Sequence, residues 1–124
     1  MRAVRVPETF MRHAFVLCLV CLAAPLAAQE RIGTRDAFVE RVAGRELTRL
    51  GIGMTVTPDG AIAGNAFGGA VRGSWTWEGG FFCREMAWGD RQWPRNCQLV
   101  QIEGDRVRFV ADRGEGDSVY LSLP

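Results

Sequence analysis

Along most of the chain, apolar and polar residues alternate in short runs that are separated by glycine and other turn-forming residues. Alternation with a period of two is typical of half-buried β-strands, because successive side chains point to opposite faces of a sheet. Seven to eight short strands at roughly ten-residue spacing predict a small all-β domain, either an antiparallel up-and-down barrel or a sandwich. The predicted strands cover 47–50, 54–57, 61–64, 70–78, 81–88, 97–102, 106–111 and 118–123.

Only one stretch has the periodicity of a helix, and it lies before the strands. Thr34 has the side chain of a helix N-cap, and it predicts a short N-terminal helix over 35–43. The apolar face of this helix would carry Phe38, Val39 and Val42.

The two consecutive glycines at 79–80 are typical of a two-residue hairpin turn. That turn would place Trp77 opposite Phe82 and Trp75 opposite Arg84. A three-residue turn would instead move Cys83 onto the face that carries the tryptophans. These side chains either fill the barrel, with Arg84 stacked on a tryptophan ring, or line a ligand pocket. The shared face would carry Trp75, Trp77, Phe82, Arg84, Met86 and Trp88.

Composition excludes much catalytic chemistry from the chain beyond residue 28. The sequence has no lysine and its one histidine is His13, so that part has no Ser-His-Asp or Cys-His pair, no histidine metal ligand and no Schiff-base lysine. Its charges nearly balance, without the electrostatic footprint of nucleic-acid binding. The sequence therefore predicts no enzyme, no cofactor, no metal and no nucleic-acid partner.

Residues 1–28 have the layout of an export signal. A basic start precedes an apolar run over 14–28, which is shorter than the ~20 residues that a membrane-spanning helix needs. We expect cleavage after Ala28, a mature domain over 29–124 in the periplasm or outside the cell, and no membrane attachment after cleavage. An uncleaved membrane anchor is the alternative, and Met11 is a second candidate start.

Cys83 and Cys97 are the two of the four cysteines that follow the export signal. In an oxidising compartment two cysteines in a small domain usually pair, so we predict a disulfide between them. A redox-active dithiol is the alternative, but such pairs usually have C-x-x-C spacing beside a helix start. In the chain-entropy model, a disulfide that closes a loop of about 15 residues adds ~3 kcal/mol to the free energy of unfolding.

The polar segment 89–96 is predicted to be a loop. Trp93 and Pro94 would then be the best surface anchor for a partner, which we expect to be another exported protein, because exposed tryptophans are common hot spots. The alternative is that Trp93 folds back onto the disulfide. The segment 112–117 lacks the alternating carboxylates of a calcium-binding loop, and it predicts a solvated hairpin loop.

Several short motifs resemble a family of small exported alphaproteobacterial proteins of unknown function, over about residues 34–123. Some members are named dihydrodipicolinate reductase, which would imply an NADPH-dependent enzyme. The residues do not support that name, because no G-x-G-x-x-G lies between a strand and a helix. The motifs are Gly73-Ser74-Trp75-Thr76-Trp77, Phe82-Cys83-Arg84, Cys97-Gln98 and Asp112-Arg113-Gly114-Glu115-Gly116.

Gly73 and Trp75 also resemble the G-x-W of lipocalin-like barrels and, more loosely, small one-disulfide barrels that inhibit secreted metalloproteases. This resemblance implies the barrel architecture more than any function. The absence of catalytic residues and the predicted loop with Trp93 and Pro94 lead us to expect a non-catalytic binding or inhibitor-like protein. The alternative is a carrier of a small apolar ligand inside the barrel, and an enzyme of the kind that the family name suggests is the third hypothesis.

Overall fold

Eight antiparallel strands close into a barrel. The computed structural model describes residues 29–124, so the predicted export signal lies outside the described residues. Each barrel strand pairs with the next along the chain and the last pairs back with the first, which confirms the barrel over the sandwich. The barrel strands are β2 (Glu46–Arg49), β3 (Ile52–Val56), β4 (Ala61–Ala66), β5 (Gly69–Glu78), β6 (Phe81–Trp88), β7 (Arg91–Glu103), β8 (Arg106–Val110) and β9 (Ser118–Ser122).

One further strand, β1 (Glu30–Ile32), lies outside the barrel. It pairs antiparallel with residues 100–102 of β7, beyond the segment 91–98 that pairs with β6. The alternation pattern did not predict β1, because three residues with a single buried side chain, Ile32, are too few to show a period.

Helix α1 (Arg35–Arg41) closes one end of the barrel, which we call the helix end. The amide of Ala37 donates to Thr34 Oγ1 at 3.2 Å, which confirms the predicted cap. The helix ends two residues before the predicted boundary at 43. No helix among residues 29–124 is long and apolar enough to span a membrane.

The ring of Phe38 is fully buried in the helix end of the barrel. Its centroid lies 5.1 Å from the Trp75 ring, 5.3 Å from Trp77 and 5.0 Å from Phe82. The indole nitrogen of Trp75 donates to the carbonyl of Thr57 at 2.9 Å, so this tryptophan also fixes the turn between β3 and β4. The helix and the sheet therefore share one aromatic core.

The central hairpin has the register that the glycine pair predicts. Trp77 faces Phe82 and Trp75 faces Arg84 across β5 and β6. The predicted stacking of Arg84 on a tryptophan is wrong, because the Arg84 guanidinium donates instead to the carbonyl of Pro94 at 3.0 Å. The cation above Trp75 comes from Arg35 of the helix, 5.3 Å from the ring centroid.

The prediction of a loop over 89–96 is wrong. β7 begins at Arg91, so Trp93 and Pro94 lie inside a strand. Opposite them the register of β6 and β7 shifts, and such an irregularity accommodates a proline, which has no N–H for the ladder.

The loop predicted over 112–117 begins with a tight turn, α2 (Ala111–Gly114), in which Asp112 and Arg113 have left-handed backbone angles and not those of an α-helix. Asn96 Nδ2 donates to the Asp112 carboxylate at 2.7 Å, and the Asp112 amide donates to Asn96 Oδ1 at 3.0 Å. These two bonds attach the turn to β7.

The predicted disulfide between Cys83 and Cys97 is confirmed. The two residues face each other directly in the ladder of β6 and β7, and Cys83 is fully buried. The bond therefore joins neighbouring strands at the point just before their register shifts.

We predict that Phe38→Ala lowers the free energy of unfolding by ~3–5 kcal/mol, because it leaves a cavity among three aromatic rings. Urea denaturation of the purified protein measures the change. Val39→Ala, on the same helix but half-buried, is the matched control and should cost clearly less. Equal losses in the two variants would contradict the assignment of Phe38 as the residue that closes the barrel.

We predict that replacing both Cys83 and Cys97 by serine lowers the free energy of unfolding by ~2–5 kcal/mol. Without the bond, the unfolded chain regains the freedom that the closed loop removes. Wild-type protein unfolded in reductant should match the variant. Two free thiols found by alkylation of the native protein would show that the bond does not form.

Candidate functional site

Three hairpin turns lie at the end of the barrel opposite the helix, which we call the turn end. They join β2 to β3, β4 to β5 and β6 to β7. Two large apolar side chains on these turns face solvent: Leu50 is 93% exposed and Phe67 is 70% exposed. No other large apolar side chain among residues 29–124 is exposed to this degree.

The exposed ring of Phe67 continues into two half-buried tryptophans. Its centroid lies 6.2 Å from the Trp88 ring, and Trp88 stacks on Trp93 at 6.2 Å with nearly parallel planes. The Trp88 indole donates to the carbonyl of Ala66 at 2.9 Å, which fixes its orientation. We call the surface formed by Leu50, Phe67, Trp88 and Trp93 the aromatic ridge.

The backbone of Phe67 is in the left-handed region, which favours asparagine and glycine over bulky residues. Its φ is +50° and that of Gly68 is +79°. Positive φ at both central residues of a two-residue hairpin is the pattern of a type I′ turn, which favours Asn-Gly. A bulky side chain in the left-handed region costs of order 1–2 kcal/mol. The chain therefore keeps an exposed aromatic ring at a position where it lowers stability.

Contacts with a neighbouring turn hold Phe67 in place despite this cost. Its amide donates to the carbonyl of Gly51 at 2.7 Å. Its ring lies against the same residue, so that a Cβ at Gly51 would come within 2.6 Å of a ring carbon. The ring is thus both exposed and rigidly supported.

A cavity of about 90 Å³ lies inside the barrel. Side chains from every barrel strand except β5 line it. Where β5 passes Met86, it carries Gly73, at which a Cβ would lie 2.8 Å from Met86 Cγ and 2.3 Å from the carbonyl oxygen of Glu85. The apolar lining consists of Leu47, Met54, Val56, Ile62, Phe82, Met86, Phe109, Val119 and Leu121.

Two polar side chains, Arg84 and Gln98, also line the cavity. Gln98 is only 8% exposed and lies on the cavity wall beside apolar side chains. Burial lowers the pKa of the Arg84 guanidinium, because removal from water disfavours its charge. No carboxylate among the described residues forms a salt bridge with Arg84.

The structure divides the predicted pocket residues between two places. Phe82, Arg84 and Met86 line the cavity, whereas Trp75 and Trp77 pack around Phe38 at the helix end.

Sequence reasoning missed Leu50, Phe67 and Gln98. For Phe67 the signal was weak, because the predicted strands 61–64 and 70–78 leave five residues between them, whereas the observed strands are separated by Phe67 and Gly68 alone. For Gln98 no local signal exists, since a glutamine on an alternating strand usually faces solvent.

One group of candidate metal ligands occurs among residues 29–124: Glu78 with Cys83 and Cys97. Both sulfurs are joined in the disulfide, so they are not thiolates and the group supplies a single carboxylate.

Comparisons with protein-family models, with curated proteins and with solved structures find no significant match. The resemblance of the motifs to the small exported alphaproteobacterial family therefore stays a prediction. The aromatic ridge and the cavity are the two features of the structure that bear on function.

We predict that Phe67→Asn leaves the free energy of unfolding unchanged or raises it by up to ~1 kcal/mol, because asparagine tolerates positive φ. Phe67→Ala is the matched control: it loses the ring contacts and keeps the backbone strain, so it should be less stable than wild type. Urea denaturation compares the three proteins. Equal destabilisation by both substitutions would show that the ring contacts outweigh the strain.

Proposed function

We propose that the protein is an exported, non-catalytic binding protein that presents the aromatic ridge to a protein partner. The observation that carries the proposal is Phe67, an exposed ring kept in a left-handed backbone conformation. Strain that a common substitution would relieve points to a role other than stability. Binding is the role that an exposed and rigid aromatic side chain serves best.

The geometry of the ridge suits binding in a second way. The backbone of Phe67 is bonded to the Gly51 carbonyl, and its ring lies against Gly51 and Trp88, so it loses little conformational freedom when a partner covers it. Aromatic side chains on rigid supports are frequent hot spots, and transfer of Leu50 and Phe67 from water adds apolar burial.

Charged and polar residues surround the ridge. Arg49, Asp90 and Arg91 are exposed and lie in or beside the same turns. An apolar centre with a polar rim is the usual layout of a protein interface. An inhibitor-like function is one form of this proposal, with Phe67 in the anchoring role that the sequence suggested for Trp93 and Pro94.

A carrier of a small ligand is the second candidate, and the cavity favours it. Its volume of about 90 Å³ is smaller than the ~150 Å³ of an apolar cavity that binds benzene. The cargo would therefore be a molecule of a few heavy atoms rather than a lipid. A dinucleotide is larger still, so we do not propose the reductase that the family name suggests.

We predict that wild-type protein captures an exported partner that Phe67→Asn fails to capture. The substitution removes the ring while sparing the fold, so lost capture reports the contact and not unfolding. Affinity purification from the culture medium and periplasm, with quantitative mass spectrometry, compares the two baits.

Leu50→Ser should weaken the same capture. Asp105→Ser, in an exposed turn at the helix end, is the control and should retain it. Undiminished capture by Phe67→Asn and Leu50→Ser would refute the ridge as the binding surface.

A further inference from the structure

We propose that the barrel cavity is a binding site for a free short-chain monocarboxylate of about three to five carbons, with its carboxylate on Arg84 and Gln98 and its alkyl chain among the apolar walls. This proposal rests on the second candidate function and is independent of the aromatic ridge.

The volume of the cavity limits the size of the ligand. A dry cavity of ~150 Å³ lined by leucine, isoleucine and phenylalanine accommodates benzene, a six-carbon molecule. The cavity here, at about 90 Å³, has room for a body of roughly four carbons. The wall is flexible in one respect, because Met54 and Met86 are unbranched side chains that adapt to the shape of a small ligand.

The charge of the ligand follows from Arg84. Its guanidinium carries five N–H donors, and the structure gives it one acceptor, the carbonyl of Pro94. It lies half-buried beside apolar side chains with no carboxylate partner among residues 29–124. A guanidinium in such surroundings favours a planar, bidentate anion, and a carboxylate has that geometry.

Gln98 identifies a second point of attachment. It is only 8% exposed, and it is the second polar residue on the cavity wall beside Arg84. An amide in these surroundings has both donors and an acceptor to offer a ligand. In the ladder of β6 and β7, Gln98 faces Phe82 and Arg84 faces Asn96, so Gln98 and Arg84 are diagonal neighbours on one face. A single carboxylate placed between them would accept hydrogen bonds from both.

The apolar walls select the rest of the molecule. Leu47, Ile62, Phe109 and Val119 come from four different strands and offer no hydrogen-bonding side chain. A polar substituent on the ligand chain would therefore be buried without a partner, which disfavours hydroxy acids and amino acids. A plain alkyl chain meets the requirement.

The test is a titration of the purified protein with sodium butyrate, followed by the NMR signals of the ¹³C-labelled methionine methyl groups. We expect saturable shifts of Met54 and Met86, which line the cavity, and sodium chloride should not produce them. Butylammonium and 1-butanol share the chain without the anion, so they should bind at least roughly tenfold more weakly. Octanoate, which is too long for the cavity, should also bind more weakly.

Two substitutions test the polar contacts. Gln98→Met keeps the length of the side chain, and Arg84→Met keeps its unbranched stem without the guanidinium. Both remove the donors, and each should weaken butyrate binding by roughly tenfold. Arg72→Met is the matched control, because Arg72 is exposed on the neighbouring strand, and it should bind as wild type does. If Arg84→Met does not fold, Gln98→Met and the ligand series on wild-type protein decide the question.

Several results would overturn the proposal. Absence of saturable methionine shifts with propionate, butyrate and pentanoate would exclude the ligand class. Equal binding of 1-butanol would exclude the role of Arg84. An acetylated dipeptide ending in valine carries the same head group on a larger body, and its binding in preference to butyrate would identify a peptide terminus instead. None of these results depends on whether the aromatic ridge captures a protein.

Discussion

The burial of the Phe38 ring in one end of the barrel is the interaction on which the remaining structure depends. Around this ring, Trp75, Trp77 and Phe82 form a single aromatic core that joins helix α1 to two strands. The ring fills space that these strands alone leave open, which matters in a domain with little core to spare. Trp75 also donates to the turn between β3 and β4, so closure by the helix and the shape of that turn are fixed together.

Closure at the helix end explains why the candidate sites lie elsewhere. With Trp75 and Trp77 packed around Phe38, the barrel interior further along is lined by aliphatic side chains, two methionines and the rings of Phe82 and Phe109. Met86 and Gly73 face each other there, and the approach of β5 to β6 at this point is so close that a Cβ on Gly73 would collide with the backbone. The cavity that remains carries Arg84 and Gln98, two polar side chains among otherwise apolar walls.

Local patterns in the sequence were sufficient to predict the barrel, the pairing of Trp77 with Phe82 and the disulfide. Each follows from residues close together in the sequence, such as the two glycines of a hairpin turn, or from a choice among very few partners, such as two cysteines. The start of β7 was missed because Pro94 usually ends a strand, and only the register shift against β6 makes it acceptable. β4 was ended too early at Gly64, where a Cβ would come within 2.1 Å of the carbonyl oxygen of Gly53 on the adjacent strand. Such requirements arise only once two strands are packed together.

The aromatic ridge was missed for a different reason, which bears on how it functions. Residue preferences in tight turns favour asparagine at the position of Phe67. Because phenylalanine stands there instead, the sequence indicates only a glycine-rich loop and not a hairpin turn. The presence of phenylalanine is informative, because the residue that suits the local backbone conformation usually also suits the whole fold. Here the local preference is not met, at a ring that is 70% exposed and supported by Gly51 and Trp88. On the proposed function, the barrel would serve as a support for the ring, and a Phe67→Asn protein that folds as expected would isolate the contribution of the ring to binding.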